Sequence, residues 1–338
     1  MGSLRFPLAV AGVASLGLAA CQPAPEYDDW VASYVPHGPL EPTAAVASLQ
    51  RVTSSSYDEM FPSLSPDGST LLYVSGRFYL DHTIESPELW GLDPSTSSPA
   101  RRFAGGHGFA MSPAWMPDGS AYLYATDTAG SWQLVRTRSA QPEAAFDVIV
   151  DDDDATPLHP SVSPDGGRVA FSMSDGRGRN VAVVEADGSG LRVLARGDYP
   201  AWSPDGGAIA FQGADAAGQT QLFSIDPGGG EARQLTFHEA ASIHPAFDPS
   251  GARIVFGSTR DRASRKCKVC CGLYLMDADG SQPVLLVGGD VDADWPVWGS
   301  DGWVYFTSNE AGDYDVWRVR LADEGEDSAR TPAVPSQR

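Results

Sequence analysis

The sequence predicts an all-β protein that forms a single six-bladed β-propeller, with about four antiparallel strands in each blade. The main observation is a motif that occurs six times and runs from a proline through a large apolar residue to a turn that ends in glycine. The copies begin at Pro62, Pro113, Pro160, Pro200, Pro245 and Pro296. Their final glycines lie 51, 47, 40, 45 and 51 residues apart, which is the period of a four-stranded blade.

The turn inside the motif has residues suited to each of its positions. In residues 200–206, Pro204 presets φ, Asp205 accepts a local backbone hydrogen bond, and Gly206 takes the left-handed position that closes a hairpin. An apolar strand follows every turn, and a third and an outer fourth strand come after it. In the sixth copy Gly299 and Ser300 replace Ser-Pro, which weakens the turn but leaves the number of blades unchanged.

The two ends of the repeat region predict how the ring of blades closes. Residues 48–53 have the pattern of an outer strand, yet they precede the first inner strand and have no blade of their own. The sixth blade shows three strands, which end near Leu321. We therefore expect the N-terminal strand to pair with the last blade, so that no sheet edge stays open. Residues 46–322 then form the propeller, and residues 323–338 form a disordered tail.

These repeats resemble those of the TolB family propellers, whose blades read roughly Pro-x-Trp-Ser-Pro-Asp-Gly, Ile-Ala-Phe, Ile-Tyr and Leu-Thr. The resemblance covers about residues 46–322 and is best in residues 200–236. It implies a scaffold or recognition role in the bacterial envelope. TolB also carries an α/β domain before its propeller, for which the roughly 25 residues after Cys21 leave no room. The repeats alone therefore do not imply a role in the Tol–Pal system.

The N-terminal residues have the features of an export signal. Arg5 precedes an apolar run at residues 8–20, which is too short to span a bilayer. The run ends in Leu18-Ala-Ala-Cys21, which resembles the bacterial lipobox and implies a signal peptide at residues 1–20 and a lipid-modified Cys21. Residues 21–45 would be a flexible linker. Gln22 in place of Asp favours the outer membrane, facing the periplasm. The alternative is an ordinary signal with a chance cysteine.

The formal net charge of -21 over 338 residues limits the classes of partner. It argues against nucleic acid, because phosphate binding needs patches of Lys and Arg. It also argues against docking of the folded surface on anionic lipid, so we expect the lipid anchor to provide the membrane contact. The acidic charge is compatible with cations and basic proteins as partners. We expect a monomer.

The residues immediately before the six repeat prolines are expected to surround the mouth of the central channel. The first strands begin at one face of the ring, and the loops between the second and third strands lie at the same face. We call it the inlet face. The predicted ring consists of Phe61, Ser112, His159, Tyr199, His244 and Trp295. It could stack on a small ligand, or it could only plug the channel. Oligogalacturonate lyases are related propellers that hold a metal with histidines near the channel, which makes His159 and His244 candidate metal ligands.

A basic, cysteine-rich loop at residues 259–271 is an insertion in blade five on the inlet face. Its basic residues are Arg260, Arg262, Arg265, Lys266 and Lys268, and its cysteines are Cys267, Cys270 and Cys271. In an oxidising compartment we expect a disulfide between Cys267 and Cys270 or Cys271, with one thiol left over. A three-thiolate metal site and a redox or covalent role are the alternatives. The loop is also a candidate recognition element for an acidic partner.

Four consecutive aspartates, Asp151, Asp152, Asp153 and Asp154, precede blade three. Clustered carboxylates suit Ca²⁺, but the run lacks the spacing and the glycine of a known calcium loop, so a solvated acidic loop is the alternative. We expect no cofactor.

Catalytic signatures are missing from the sequence. It has no Gly-x-Ser-x-Gly elbow and no phosphate-binding glycine-rich loop between a strand and a helix. We therefore expect an envelope lipoprotein without catalytic activity, whose inlet face binds a protein or a small ligand. The alternative is a metal-dependent lyase that acts on an oligosaccharide through His159 and His244.

Overall fold

The computed structural model describes residues 39–78, 84–96, 98–105, 108–138, 146–176, 178–260 and 271–322. In these ranges the chain forms 25 β-strands and no helix. The strands make six antiparallel sheets, and each sheet is one blade. Across these same ranges, nothing meets the length and apolarity that a membrane-crossing helix requires. The predicted all-β, six-bladed propeller with four-stranded blades is confirmed.

The strands follow one another in chain order from the inside of each blade to its outside. Two strands precede the first blade, β1 (Glu41–Pro42) and β2 (Val46–Arg51). Blade one contains β3 (Asp58–Leu64), β4 (Leu71–Phe78), β5 (Ile84–Leu92) and β6 (Arg101–Ala104). Blade two contains β7 (Ala110–Trp115), β8 (Ala121–Thr126), β9 (Gln133–Arg138) and β10 (Asp147–Asp151). Blade three contains β11 (Ala155–Val162), β12 (Arg168–Asp175), β13 (Gly178–Glu185) and β14 (Arg192–Arg196).

The second half of the ring repeats this arrangement. Blade four contains β15 (Asp198–Trp202), β16 (Ile209–Ala214), β17 (Thr220–Ile225) and β18 (Arg233–Gln234). Blade five contains β19 (Ser242–Phe247), β20 (Arg253–Ser258), β21 (Gly272–Asp277) and β22 (Val284–Gly288). Blade six contains β23 (Ala293–Trp298), β24 (Val304–Ser308) and β25 (Asp315–Leu321).

Each hairpin between the first and second strands closes as the motif predicts. In blade four, the Gly206 N–H donates to the Ser203 carbonyl at 2.9 Å, and the Asp205 carboxylate accepts the Ser203 hydroxyl at 2.6 Å. Gly206 has a φ of 72°, in the left-handed region that glycine tolerates best. In blade six the Gly302 N–H still donates to the Gly299 carbonyl, at 3.2 Å, so this turn also closes without Ser-Pro.

The N-terminal strand closes the ring. β2 pairs antiparallel with β25 and completes blade six as its outer strand. β1 lies further out, on the outer edge of β22, and gives blade five a fifth strand. Next to β1, Leu40 is only 6% exposed and packs in the core with Leu286 and Val287. Part of the segment that the sequence assigned to a linker is therefore held against blade five.

The core lies between neighbouring blades. Both faces of each second strand are buried, because adjacent sheets pack face to face. Phe211 on β16 packs with Ala170 and Val183 of blade three, whereas Ala210 faces Ile254 and Phe256 of blade five. This packing fixes the angle between blades and holds all six first strands around one channel.

Candidate functional site

The six residues before the repeat prolines share an unusual backbone conformation. Their φ angles lie between 49° and 55°, a region that residues other than glycine rarely adopt and that costs about 1–3 kcal/mol each. The set consists of Phe61, Ser112, His159, Tyr199, His244 and Trp295. At each position the pairing of the first with the second strand shifts register. Such a bulge redirects a side chain, and here it brings all six residues to the channel.

The preceding blade holds some of these backbones in place. The Tyr199 N–H donates to the Ser172 hydroxyl at 2.9 Å, and the His244 N–H donates to the Gln212 side-chain oxygen at 3.1 Å. Ser172 and Gln212 occupy the same position, the residue after the buried phenylalanine of the second strand. Each blade thus helps to orient the channel residue of the next one.

Five aromatic rings form a closed circuit across the channel. His159 stacks on Tyr199 with ring centroids 3.7 Å apart, and Tyr199 meets His244 edge to face at 4.0 Å. Trp295 stacks on His244 at 5.2 Å and contacts Phe61 at 5.2 Å, and Phe61 lies 6.1 Å from His159. On the inlet side, Met60, Met111 and Tyr314 pack against these rings. The aromatic circuit therefore closes the channel.

A cavity of about 360 Å³ lies on the other side of the aromatic circuit. All six channel residues and all six repeat prolines line it. Its further walls include Ser63 and Leu64, at the end of the first strand, and Pro66, in the hairpin turn. The cavity thus faces the hairpin end of the ring, opposite to the inlet face. No Lys, Arg, Asp or Glu is among the residues that line it.

A buried carboxylate supports His159 from behind. Nδ1 of His159 lies 3.3 Å from a carboxylate oxygen of Asp198, which also pairs with Arg179. Burial lowers the pKa of His159, although Asp198 opposes this shift. Burial would raise the pKa of Asp198, but the hydrogen bond from His159 and the charge of Arg179 hold it well below its usual range. Asp198 therefore holds the His159 ring through Nδ1, and Arg179 balances the charge of this carboxylate.

The same arrangement occurs at His244. Its Nδ1 lies 2.8 Å from an oxygen of Asp294, and Asp294 precedes Trp295 as Asp198 precedes Tyr199. Each histidine is thus held by an aspartate of the next blade. Gly257 makes room for this contact, because a Cβ there would collide with the Asp294 carboxylate.

Sequence reasoning identified the histidines but missed their aspartates. The available signal was an Asp before the channel residue in the fourth and sixth copies only, where the other copies have Met60, Met111, Leu158 and Ile243. Both of these copies directly follow a copy with a histidine.

A third buried aspartate lies near this site on the inlet side. Asp292 accepts the Cys271 backbone N–H at 2.9 Å and the Tyr314 hydroxyl at 3.1 Å. Burial, reinforced by the charge of Asp294, raises the pKa of Asp292 to about 7. Cys271 itself is buried and packs against Ala241 and Ile243.

Most of the basic loop lies outside the described residues. This applies to Arg262, Arg265, Lys266, Cys267, Lys268 and Cys270. Arg260 is described, and its guanidinium carbon lies 5.2 Å from the centre of the Tyr274 ring. The disulfide of this loop and its recognition role stay predictions, as does the lipid on Cys21.

The acidic run before blade three is engaged in local hydrogen bonds. Asp151 accepts the Gln133 side-chain N–H at 2.8 Å, and the Asp152 carboxylate accepts the Asp154 backbone N–H at 2.9 Å. In the part of the chain that the structure describes, no group of three or more His, Cys, Asp or Glu is placed to hold a metal ion. Calcium binding at residues 151–154 and a metal at His159 and His244 stay predictions.

The blades, the repeated turns and the channel that aromatic side chains fill define a six-bladed β-propeller with TolB-like repeats. Residues 147–270 match the family model of the TolB β-propeller domain. The Tol-Pal system protein TolB of Anaeromyxobacter dehalogenans is 38% identical over 84 residues, which are 25% of this chain and 18% of that protein. Three curated relatives are matched over 33%, 29% and 18% of their own length.

Solved structures show the same fold at low sequence identity. A putative TolB from Agrobacterium tumefaciens has a TM-score of 0.60 and 18% identity, and the match covers 81% of this chain and 97% of that one. The oligogalacturonate lyase of Vibrio parahaemolyticus has a TM-score of 0.55 and 13% identity, covering 84% and 97%. The predicted resemblance to TolB-like propellers is confirmed, while the fold alone is shared with enzymes.

Proposed function

We propose that this protein is an exported, lipid-anchored binding protein of the bacterial envelope, and that its propeller docks a partner protein without catalysis. The observation that carries the proposal is the blind cavity. The aromatic circuit closes it on one side, and uncharged walls of prolines and of small and apolar residues surround it. Such a recess suits an anchor side chain of a partner, since well-packed pockets near the centre of an interface carry most binding energy.

The shape of the channel also favours one class of ligand. A polymer cannot be threaded through a channel that five rings and their packing neighbours close. A polyanionic sugar chain would meet no Lys or Arg among the residues that line the cavity. Both features favour the end of a side chain over an extended oligosaccharide.

The place in the envelope rests on the sequence and on the relatives. Leu18-Ala-Ala-Cys21 supports lipidation of Cys21 and anchoring in the outer membrane, facing the periplasm. Two relatives are named as TolB of the Tol-Pal system. We therefore propose that the partner is another envelope protein.

The test is whether the protein still captures its partner from membranes when its cavity is blocked. Ser112→Trp places a large ring at the one small position of the channel, where blade six already holds Trp295 in the same backbone conformation. The control is Val193→Trp on the outer strand of blade three, where the side chain is exposed. We expect wild type and Val193→Trp to co-purify the same envelope protein after cross-linking, and Ser112→Trp to lose it. Equal capture by both variants would contradict the role of the cavity.

A second candidate is the metal-dependent lyase. Two observations favour it: the likeness in fold to oligogalacturonate lyases, one of which was solved in complex with manganese, and the two histidines that are held by carboxylates. Metal-binding histidines usually donate their other ring nitrogen in this way. Elemental analysis of the purified chain decides between the two functions. Stoichiometric transition metal that is lost in His159→Ala would favour the lyase, and its absence would favour the binding protein.

A further inference from the structure

The hairpin turns between the first and second strands form a rim around the mouth of the cavity. Pro66, the second residue of the turn in blade one, is among the residues that line the cavity. Consecutive turns also touch, because a Cβ on Gly119 would lie 3.8 Å from Pro66 and one on Gly206 would lie 3.3 Å from Pro164. The same kind of contact joins Gly68 to Asp301, Gly166 to Pro117, and Gly251 to Pro204. Residues at equivalent positions of the turns therefore lie beside one opening.

Five of the six turns have an aspartate at their third position. We call this set the acidic rim, and it consists of Asp67, Asp118, Asp165, Asp205 and Asp301. The Asp205 carboxylate accepts the Ser203 hydroxyl at 2.6 Å and the Gly207 backbone N–H at 2.9 Å, and these hydrogen bonds hold the pKa of Asp205 below its usual range. Hydrogen bonds within the turn also lower the pKa of Asp67, Asp118 and Asp165. The rim is therefore negatively charged at neutral pH.

Arginines of this chain offset only part of the charge of the acidic rim. Arg168 is close enough to Asp165 for its charge to lower the pKa of that carboxyl. Arg320 donates to the carbonyl oxygen of Asp301 at 3.2 Å. The rim aspartates that form no ion pair with Lys or Arg in the described ranges are Asp67, Asp118 and Asp205. Blades one, two and four thus present carboxylates that a partner's cations can approach.

The interior of the cavity has the opposite character. No charged residue lines it, and its walls include the six repeat prolines together with Ala114, Ala201 and Ala246. Phe61 and Trp295 present aromatic rings at its closed end. A large apolar side chain loses contact with water there, and an aromatic one also gains ring contacts. A dry centre within a charged rim is the usual layout of an interface hot spot, and the charge of the rim then selects partners of opposite sign.

We infer that the hairpin end of the ring binds a basic segment of the partner protein, in which a large apolar side chain lies between lysine or arginine residues. The apolar side chain fills the cavity, and the basic residues meet the acidic rim. This inference rests on the proposed binding function and names the chemistry by which the partner is selected.

The test compares three capped pentapeptides by isothermal titration calorimetry on the purified full chain, at neutral pH and low ionic strength. The peptides are Gly-Lys-Phe-Lys-Gly, Gly-Glu-Phe-Glu-Gly and Gly-Lys-Ala-Lys-Gly. We expect the first to bind at least about 10-fold more tightly than the second, because of the rim charges, and than the third, because of the buried ring. Added salt should narrow the gap between the two charged phenylalanine peptides. Equal binding of the first peptide and either of the others, or no binding of the first, would overturn the inference.

Two triple variants locate the binding of the basic residues. The rim variant combines Asp67→Asn, Asp118→Asn and Asp205→Asn. Each asparagine keeps an oxygen that accepts the hydrogen bonds of the turn, so the fold is retained. The matched control neutralises three aspartates in the outer turns at the same end of the ring, between third and fourth strands, and combines Asp93→Asn, Asp187→Asn and Asp279→Asn. These aspartates accept the backbone N–H of a serine two residues later, as Asp67 and Asp118 do.

Both triple variants change the net charge equally and should melt at the temperature of wild type. We expect the rim variant to bind Gly-Lys-Phe-Lys-Gly about 10-fold more weakly than wild type, and the control variant to lose less than about 3-fold. Equal losses in the two variants would show that the net charge of the protein attracts the peptide, and they would overturn the role of the acidic rim.

Capture from membranes separates this inference from the proposed function. If Ser112→Trp loses the envelope protein while the rim variant captures as much of it as wild type does, the acidic rim is overturned and the binding function stands. If wild type captures no envelope protein and binds none of the peptides, both are overturned.

Discussion

Two groups of buried acids, one at the channel and one at the closure of the ring of blades, differ in how their charge is balanced. At the channel, Asp198 is shared by His159 and Arg179. At the closure, Asp315 of β25 lies 2.7 Å from Arg51 of β2 and is also close to the carboxyl group of Glu59 of β3. We call the second group, Arg51, Glu59 and Asp315, the closure cluster.

The two groups have pKa shifts of opposite sign at similar depth. His159 and Arg179 outweigh burial and hold the pKa of Asp198 well below its usual range. Burial raises the pKa of Asp315 to about 7, and Arg51 offsets this only in part because the Glu59 carboxylate is also close. Burial raises the pKa of Glu59 too. The neighbours of each carboxylate decide the direction, because Asp198 faces His159 and Arg179, whereas Asp315 faces Arg51 and a second carboxyl group.

The largest expected effect comes from removing the closure. Deletion of residues 39–51 takes away β1 and β2, exposes the edge of β25, and leaves Asp315 without Arg51. Loss of a packed strand and of its buried apolar area should cost well over about 5 kcal/mol. We expect the variant to melt at least ten degrees below wild type, or not to fold, by circular dichroism. As a control, deletion of residues 323–338 should leave the melting temperature unchanged.

The next prediction concerns Asp294, the second aspartate at the channel, and uses the variant Gly257→Ala. The new Cβ would collide with the Asp294 carboxylate and lie 3.2 Å from a side-chain carbon of Ile243. We expect a loss of about 1–3 kcal/mol in the free energy of unfolding, typical of overpacking, together with a changed NMR signal of His244. The matched control is Gly213→Ala on β16, whose Cβ would meet only contacts of 3.2 Å or more. Equal losses in both variants would show that Asp294 has no special role.

The fold could be predicted from the sequence because its signals are local. Pro-Asp-Gly turns, the apolar strands after them and the spacing of the copies each depend on neighbouring residues. Closure by residues 48–53 followed from the same repeat, since Thr53 occupies the position of Thr236. β1 could not be found in this way, because two residues on an outer edge leave no periodic pattern.

The channel was predictable only in part. Its six members share one position in the repeat, so the sequence was enough to name them. Their positive φ angles and the pairing of each histidine with the aspartate of the next blade depend on contacts between residues 39 or 50 positions apart. Such contacts exist only after the blades have packed. The direction in which the cavity opens was not predictable either, because it depends on which side of the channel the aromatic rings fill.

The pH dependence of stability separates the two groups. Since the pKa values of Asp315 and Asp292 are raised to about 7 in the folded chain and are about 4 when it is unfolded, the folded chain binds more protons between these values. The contribution of these two acids to stability should therefore fall as the pH rises from about 4 through 7. His159, whose pKa is lowered by burial, contributes in the opposite direction below about pH 6.5. The lowered pKa of Asp198 acts only below about pH 4, where stability is lost on acidification.

We expect the melting temperature to be lower at pH 8 than at pH 5, with a change of about 1–2 kcal/mol for the closure cluster after allowing for solvent screening at Arg51. Asp315→Asn should remove the share of Asp315 and leave that of Asp292, and Asp198→Asn should leave both shares in place. An Asp315→Asn variant whose melting temperature changes from pH 5 to pH 8 as much as that of wild type would contradict the assignment.

The smallest expected effect distinguishes the closure from an ordinary blade. The Thr53 hydroxyl accepts the Val316 N–H at 2.8 Å, and the Thr236 hydroxyl accepts the Leu222 N–H at 2.9 Å in blade four. Thr53→Val and Thr236→Val each leave a buried N–H without its acceptor and should cost about 1–2 kcal/mol. The Thr53 hydroxyl alone also lies near Asp315, at 3.5 Å. The cost of Thr53→Val should therefore grow as Asp315 ionises between pH 5 and pH 8, whereas that of Thr236→Val should stay constant. Parallel pH profiles for the two variants would show that the closure cluster does not act through Thr53.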